Sequence, residues 1–393
     1  MMKTRWMMAL CRSWATPAAK GPAAGWMLWC LAALVAGGIV QAQRADQSQG
    51  EDALAHIRWA LEQYPIVLVD EGNHQAGEPH ELLRRILSDT RVMESLDVIV
   101  VEFATATHQD VLDAFIQGKD VPFDELSRVW RDTSTSPITP WDSPIYLQLL
   151  ETVRETNRML PPEKKVRVLA GDPPVDWSSI QTKDDFERAI QPRDPYAARV
   201  AMEQAFDLGK RVLVVYGGGH LMRLPLGPGD LRNPLTSYIL AEHPGAAWVV
   251  KFMWPVRAGL ADRTDELVPG RVYRTADHWS GSSPAPALFE GTRSLVIDPG
   301  TGERSWQEVP LYEGHAVRDI YDALIYLGRE DQWTVVPSEL DQNRDAAYLK
   351  ELDRRNRLRF GRGREAAPHF LPLPPPATPD GNTALSPALA QLT

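Results

Sequence analysis

Four short apolar runs constrain this chain more than anything else in it: Ile66-Val67-Leu68-Val69, Val98-Ile99-Val100-Val101, Val166-Arg167-Val168-Leu169 and Val212-Leu213-Val214-Val215. Each is rich in β-branched residues and nearly continuous rather than alternating. A strand that exposes one face to water alternates apolar and polar residues; one covered on both faces does not. The runs therefore predict a buried, mainly parallel sheet. Helix-like segments separate them. One is opened by Pro79, one stops at Gly118, and one starts at Ser143-Pro144, read as an N-cap and a first-turn proline. Another starts at Asp194-Pro195 and ends at Gly209, and another starts at Asn233-Pro234. Proline inside a helix start and glycine beyond its end fit the donors and acceptors left unpaired at helix termini. Strands alternating with helices predict an α/β fold, a parallel sheet flanked by helices. A fifth strand is expected at Ala247–Phe252 and late ones at Val296-Ile297-Asp298 and Asp322–Leu327, with no clean periodicity between Pro255 and Ser283.

The first 43 residues are of a different kind. They hold Lys3, Arg5, Arg12 and Lys20, no acidic side chain, and an apolar run from Trp26 to Val40 that leads into Gln41-Ala42-Gln43. A basic start, a short apolar stretch and a small residue before polar sequence predict a secretory signal cleaved after Ala42. The run is shorter than the roughly 20 residues a membrane span needs. The mature protein is thus expected in the periplasm or outside the cell, touching a membrane only through this segment where it stays uncleaved. Both cysteines, Cys11 and Cys30, would leave with it, which removes thiol catalysis, disulfides and cysteine-ligated zinc. Cleavage also leaves 38 basic against 52 acidic residues, a formal charge of −14 in place of −10. So acidic a chain repels phosphate backbones, so no nucleic-acid partner is expected and a small-molecule ligand or substrate is. The expected organisation is a signal over 1–42, a linker and leading helix over 43–60, the α/β domain over 61–330, a charged helical segment over 331–362 (its helix Asn343 to Phe360), and a disordered Pro-rich tail over 363–393.

In open α/β sheets function collects beyond the carboxyl ends of the strands. The first strand is followed by Glu71-Gly72-Asn73-His74 and then His80-Glu81. The second ends in Glu102, the third in Gly171-Asp172-Pro173-Pro174, and the fourth in Gly217-Gly218-Gly219-His220. Glu71, His74, Glu102, Asp172 and His220 are therefore expected along one edge. Imidazole and carboxylate exchange protons near neutral pH, the carboxylate orienting the ring. Glu71, His74, His80, Glu102 and His220 are also the residue types that ligate a transition metal. Arg193, at a helix start whose N-cap is read as Asp194, has two readings: an arginine that points back over the edge and stabilises an anion or oxyanion, or a solvated surface arginine. The glycines 217–219 lack the spacing of a dinucleotide fingerprint, and no G-x-S-x-G elbow occurs. Trp130, Trp141 and Trp177 are candidate pocket walls, with plain core as the alternative.

Taken in order, Glu71-Gly72-Asn73-His74, Glu102, Arg193-Asp194-Pro195-Tyr196-Ala197 and Gly217-Gly218-Gly219-His220 resemble the superfamily of ChaN-like haem-binding proteins, erythromycin esterase-like enzymes and TraB/Tiki-type metalloproteases, over residues 60–330. Val129-Trp130-Arg131-Asp132-Thr133 and Gly171–Trp177 are similar to a bacterial group of exported proteins within it. Two residues separate Glu71 from His74 where the family pattern has one, and Tyr196 stands where Met is usual. The esterase-like resemblance implies a hydrolase of an ester, lactone or peptide bond, with His74 as base, Glu71 and Glu102 as its orienting partners, and Arg193 and His220 on the oxyanion side. The Tiki-type members imply a divalent metal at the Glu and His positions. The ChaN-like members imply haem or iron binding without turnover; His74, His80, His220 and Tyr216 are the axial candidates.

Overall fold

The computed structural model describes residues 50–137, 140–223, 233–254, 261–284, 293–297, 304–308, 314–337 and 346–361. The expected signal segment and Pro-rich tail lie outside them. Among the described residues no helix is long and apolar enough to cross a membrane.

Among the described residues ten strands are formed: β1 (Glu51–Asp52), β2 (Ile66–Asp70), β3 (Val98–Thr105), β4 (Arg167–Asp172), β5 (Val212–Tyr216), β6 (Ala247–Phe252), β7 (Arg271–Arg274), β8 (Arg293–Ile297), β9 (Arg304–Glu308) and β10 (Ala323–Tyr326). Eight make one sheet in the order β1-β7-β10-β6-β2-β5-β3-β4, while β8 and β9 pair separately. From β10 through β4 every neighbour is parallel. The β1-β7 and β7-β10 pairs are antiparallel. The fold is α/β, as the continuous runs predict.

The layers show why those runs do not alternate. Val67, Val69, Ile99, Val101, Leu213 and Val215 pack on one face of the sheet, and Ile66, Leu68, Val98, Val100, Val212 and Val214 on the other. The first face is covered by α1 (Ala53–Gln63), α2 (Gly77–Ser88), α3 (Gln109–Ile116) and α4 (Pro144–Met159). The second is covered by α5 (Arg193–Met202) and α6 (Leu235–Glu242). Successive side chains of a strand point to opposite faces, so burial on both sides requires an apolar residue at every position. A last helix, α7 (Ala346–Phe360), packs Leu358 against a small cluster of Val175, Trp177 and Ile180.

Two features of the sheet position the functional residues. β5 enters between β2 and β3, so the strands preceding the four polar motifs are consecutive neighbours, β2-β5-β3-β4. β3 does not end at Glu102, as expected, but continues to Thr105 through an irregularity. Val101 pairs with Ala170 and Thr105 with Asp172, so the β3 side carries extra residues, Glu102 among them. A bulge of this kind re-aims a side chain next to a site.

Two helix starts differ from expectation, and a third, at Ser143-Pro144, keeps its expected N-cap place without the capping bond. α2 begins at Gly77, two residues before Pro79. Ser143 makes no capping bond; its hydroxyl donates to Val336 O at 2.7 Å and ties α4 to a distant segment. Asp194 is not the N-cap of α5. It lies inside the first turn, where its carboxylate has another partner.

Candidate active site

The loop after β2 turns at once. Gly72 takes φ +81°, and a Cβ there would lie 2.6 Å from Pro79, so only glycine fits. The turn brings Glu71 and His74 together, with His74 Nδ1 and Glu71 Oε1 2.5 Å apart. Glu71 is fully buried whereas His74 is about a third exposed. Burial pushes the Glu71 carboxyl up to about 7 against the pull of His74. In His74 burial opposes the charge, but the Glu71 carboxylate beside it prevails and raises the imidazole pKa. The two share a hydrogen bond and titrate as a unit. The edge of Trp141 lies against the His74 ring, centroids 4.5 Å apart. Of the three tryptophans this one walls the site.

Arg193 sits between two buried carboxylates. Its Nη2 donates to Glu102 Oε1 at 2.8 Å and its Nε to Asp172 Oδ1 at 2.9 Å. Glu102 Oε2 accepts the backbone N–H of Gly217 at 2.6 Å. Burial would raise Glu102, but Arg193, then His220 and His74, hold it down at about 2. Asp172 accepts the backbone N–H and the hydroxyl of Ser134 at 2.7 and 2.6 Å. Burial nevertheless leaves its pKa raised, the neighbouring Arg193 notwithstanding.

His220, after β5, forms the second imidazole–carboxylate pair. Its Nδ1 lies 2.6 Å from Asp194 Oδ1, and its Nε2 3.7 Å from Glu102 Oε1. Burial disfavours its charge, but Asp194 and Glu102 outweigh that and lift it to about 9. The two dyads face each other across Gly217. A Cβ at that residue would meet Glu102 Oε2 at 3.0 Å, His220 Cδ2 at 3.6 Å and His74 Cε1 at 3.7 Å. Glycine thus leaves open the floor shared by both rings. Each ring engages its carboxylate through Nδ1 and is about a third exposed, and Nε2 of His220 faces Glu102.

Glu71, His74, Glu102, Asp172, Arg193 and His220 are linked in this way. His80 stands apart from them. It lies on α2 with 1% of its surface exposed, its ring edge-on to Tyr146 at 5.0 Å. Neither ring nitrogen has a hydrogen-bond partner, and burial, with His74 nearby, pushes its pKa down to about 3. Tyr216 is fully buried and its hydroxyl donates to Gly171 O, so it is not presented to a haem. Trp130 is core. Trp177 borders a cavity of about 520 Å3 that none of the six linked residues lines.

The metal-ligand expectation does not fit this arrangement. Among the described residues no three His, Cys, Asp or Glu side chains are placed to hold a metal ion. Both oxygens of Glu102 are taken by N–H donors. The positive charge that a divalent cation would bring to the acidic cluster is already supplied by Arg193.

Two contributors were not among the expected residues: Asp194 and Ser134. Asp194 was assigned to capping, although its place beside Arg193 was a signal. Ser134 reaches Asp172 across 38 residues from a loop, and nothing in the sequence marks it.

No protein-family model matches the chain, and no curated protein sequence matches it. Among solved structures it is similar to the haem-binding ChaN of Campylobacter jejuni, at 15% identity and a TM-score of 0.34 over 50% of this chain and 85% of that one. It is similar to a mutant of the erythromycin esterase EreC in its open conformation, at 10% identity and a TM-score of 0.38 over 71% and 96%. A succinoglycan biosynthesis protein is a third, at 10% identity and a TM-score of 0.45 over 71% and 94%. The chain is similar to a haem-binding protein and to an esterase alike. Such distant likeness carries neither activity over to it.

Proposed function

We propose that this chain is an exported hydrolase that activates water on an ester, lactone or peptide carbonyl with the Glu71–His74 pair, without a metal. The observation that supports the reading best is the facing of two imidazole–carboxylate dyads with different proton affinities across one open glycine. Groups whose surroundings push their pKa values apart divide into base and acid. His74, held at Nδ1 by Glu71, takes a proton from water at its other nitrogen as the water oxygen bonds the carbonyl carbon, and returns it to the leaving alcohol or amine as the C–O or C–N bond breaks. His220, protonated through neutral pH, donates to the oxygen that gains charge. Arg193 keeps Glu102 ionised and holds Glu102 and Asp172 beside the reaction, and the imidazolium of His220 has the Glu102 and Asp194 carboxylates on either side.

The pH dependence follows from these directions. The base form requires His74 to lose its proton, which the Glu71 carboxylate beside it holds above the ordinary 6.5. The acid form requires His220 to keep one, up to about 9. The expected profile of kcat/KM is a bell that rises above 6.5 as His74 loses its proton and falls through about 9 as His220 loses its own; a profile flat across that window would remove the assignment. The same shift affects stability. The folded pKa of His220 lies above its ordinary 6.5, so the contribution of its pair with Asp194 is complete below 6.5 and is lost as pH rises through about 9.

Export is the other half of the proposal and rests on the basic, then apolar, N-terminal composition. N-terminal sequencing of the protein from the periplasm of an expressing bacterium is expected to read from Gln43. Recovery of the chain with its N-terminus intact in the cytoplasm would contradict it.

A further inference from the structure

The last helix donates a set of hydrogen bonds that the proposed chemistry does not use. Arg359 Nη1 donates to three successive carbonyls, those of Ser134 at 3.4 Å, Thr135 at 2.6 Å and Ser136 at 3.2 Å. One turn earlier the buried Arg355 donates from Nη1 to Arg131 O at 2.9 Å and to Ser136 Oγ at 3.0 Å, and from Nη2 to Asp132 Oδ1 at 2.7 Å. Arg354 donates to Trp177 O and Ile180 O on the opposite side. Two turns before Arg355, the Tyr348 side chain hydrogen-bonds Asp142. Buried backbone carbonyls need donors, and those of this irregular loop find them largely on α7.

The clamped loop touches the site at two points. Ser134 gives both its N–H and its hydroxyl to Asp172, the carboxylate that holds Arg193 Nε. Thr135 Oγ1 accepts from Trp141 Nε1 at 2.9 Å, and Trp141 is the wall against the His74 ring. A guanidinium on carbonyls is a strong, directional anchor, and two of the residues it fixes, Ser134 and Thr135, are one bond from Asp172 and Trp141 respectively.

We infer that α7 is a positioning element of the site: Arg359 and Arg355 hold residues 131–136 in the conformation that sets Asp172–Arg193 on one side and Trp141–His74 on the other. The helix does not touch a substrate. It decides whether the arginine and the base are held in place, so the domain without it would keep its sheet but lose the alignment of the cluster.

The test is amide hydrogen exchange of the full chain, read by mass spectrometry, for the wild type, Arg359→Ala and Arg359→Lys. The readout is independent of turnover, so its failure and the failure of the hydrolase reading are distinguishable. In Arg359→Ala the peptide carrying the Ser134 amide is expected to exchange at least about tenfold faster, the effect of losing charge-assisted bonds, while peptides of β2, β3 and β5 keep wild-type rates. Lysine, which also presents N–H donors to the carbonyl cup, is expected to restore most of the protection. Unchanged exchange at residues 132–137 would overturn the inference. So would acceleration spread evenly over the sheet, since that marks a general loss of stability rather than the release of one loop.

Discussion

Replacing His74 with alanine is expected to lower kcat by about 10²–10⁴-fold, the range of a lost general base, with little loss of stability. His74 is about a third exposed and its ring fills a surface position beside Trp141. The variant removes the proton acceptor and leaves the buried Glu71 without its imidazole. An isolated buried carboxylate avoids its desolvation cost by taking up a proton. Burial has already lifted Glu71 to about 7 with the imidazole present, so without it the group stays neutral at pH 7. The stability cost should therefore stay within about 2 kcal/mol, that of one lost hydrogen bond with partial desolvation. Turnover and urea unfolding of the same preparation check both halves. Wild-type kcat in the variant would end the assignment of His74 as base.

The second large effect is on folding. Arg193→Met is expected to destabilise the protein by about 3–5 kcal/mol, the cost of leaving buried charge uncompensated. Glu102 and Asp172 are 1% and 0% exposed, and Arg193 is the cation that bonds to both. Much of the loss should be recovered when Arg193→Met is combined with Glu102→Gln and Asp172→Asn, because a neutral polar group costs less to bury than an unpaired charge. That recovery separates an electrostatic role from a packing one. Denaturant unfolding of the single and triple variants measures it. A loss below about 1 kcal/mol in Arg193→Met would show that the arginine is a surface group held by chance, as many are.

The two expectations follow from features of unequal visibility in the sequence. The sheet was legible because β2, β3, β4 and β5 are buried on both faces, which forces continuous apolar runs. The strands missed were β1, β7 and β9. β7 reads Arg-Val-Tyr-Arg and pairs antiparallel near the sheet edge, where no such run is required. Strand order was not legible. That β5 lies between β2 and β3, and so places His220 beside Glu102, depends on long-range pairing that no local pattern encodes. At the site, Arg193 could be read because no local role explained it. Asp194 was misread because capping offered it a ready local use, whereas its partner, His220, is 26 residues away. Residue type likewise misled on metal. Clustered Glu and His are metal ligands in general, but here an arginine placed among the carboxylates takes up their charge.

A metal-free acid–base site is the centre of the account. The most direct measurement is hydrolysis of a panel of aryl esters and lactones by the mature chain, before and after exhaustive dialysis against a chelator, with added zinc, manganese or iron as the third condition. The account predicts turnover that survives chelation and does not rise when metal is returned. Turnover that disappears on chelation and returns with one of these metals would contradict it.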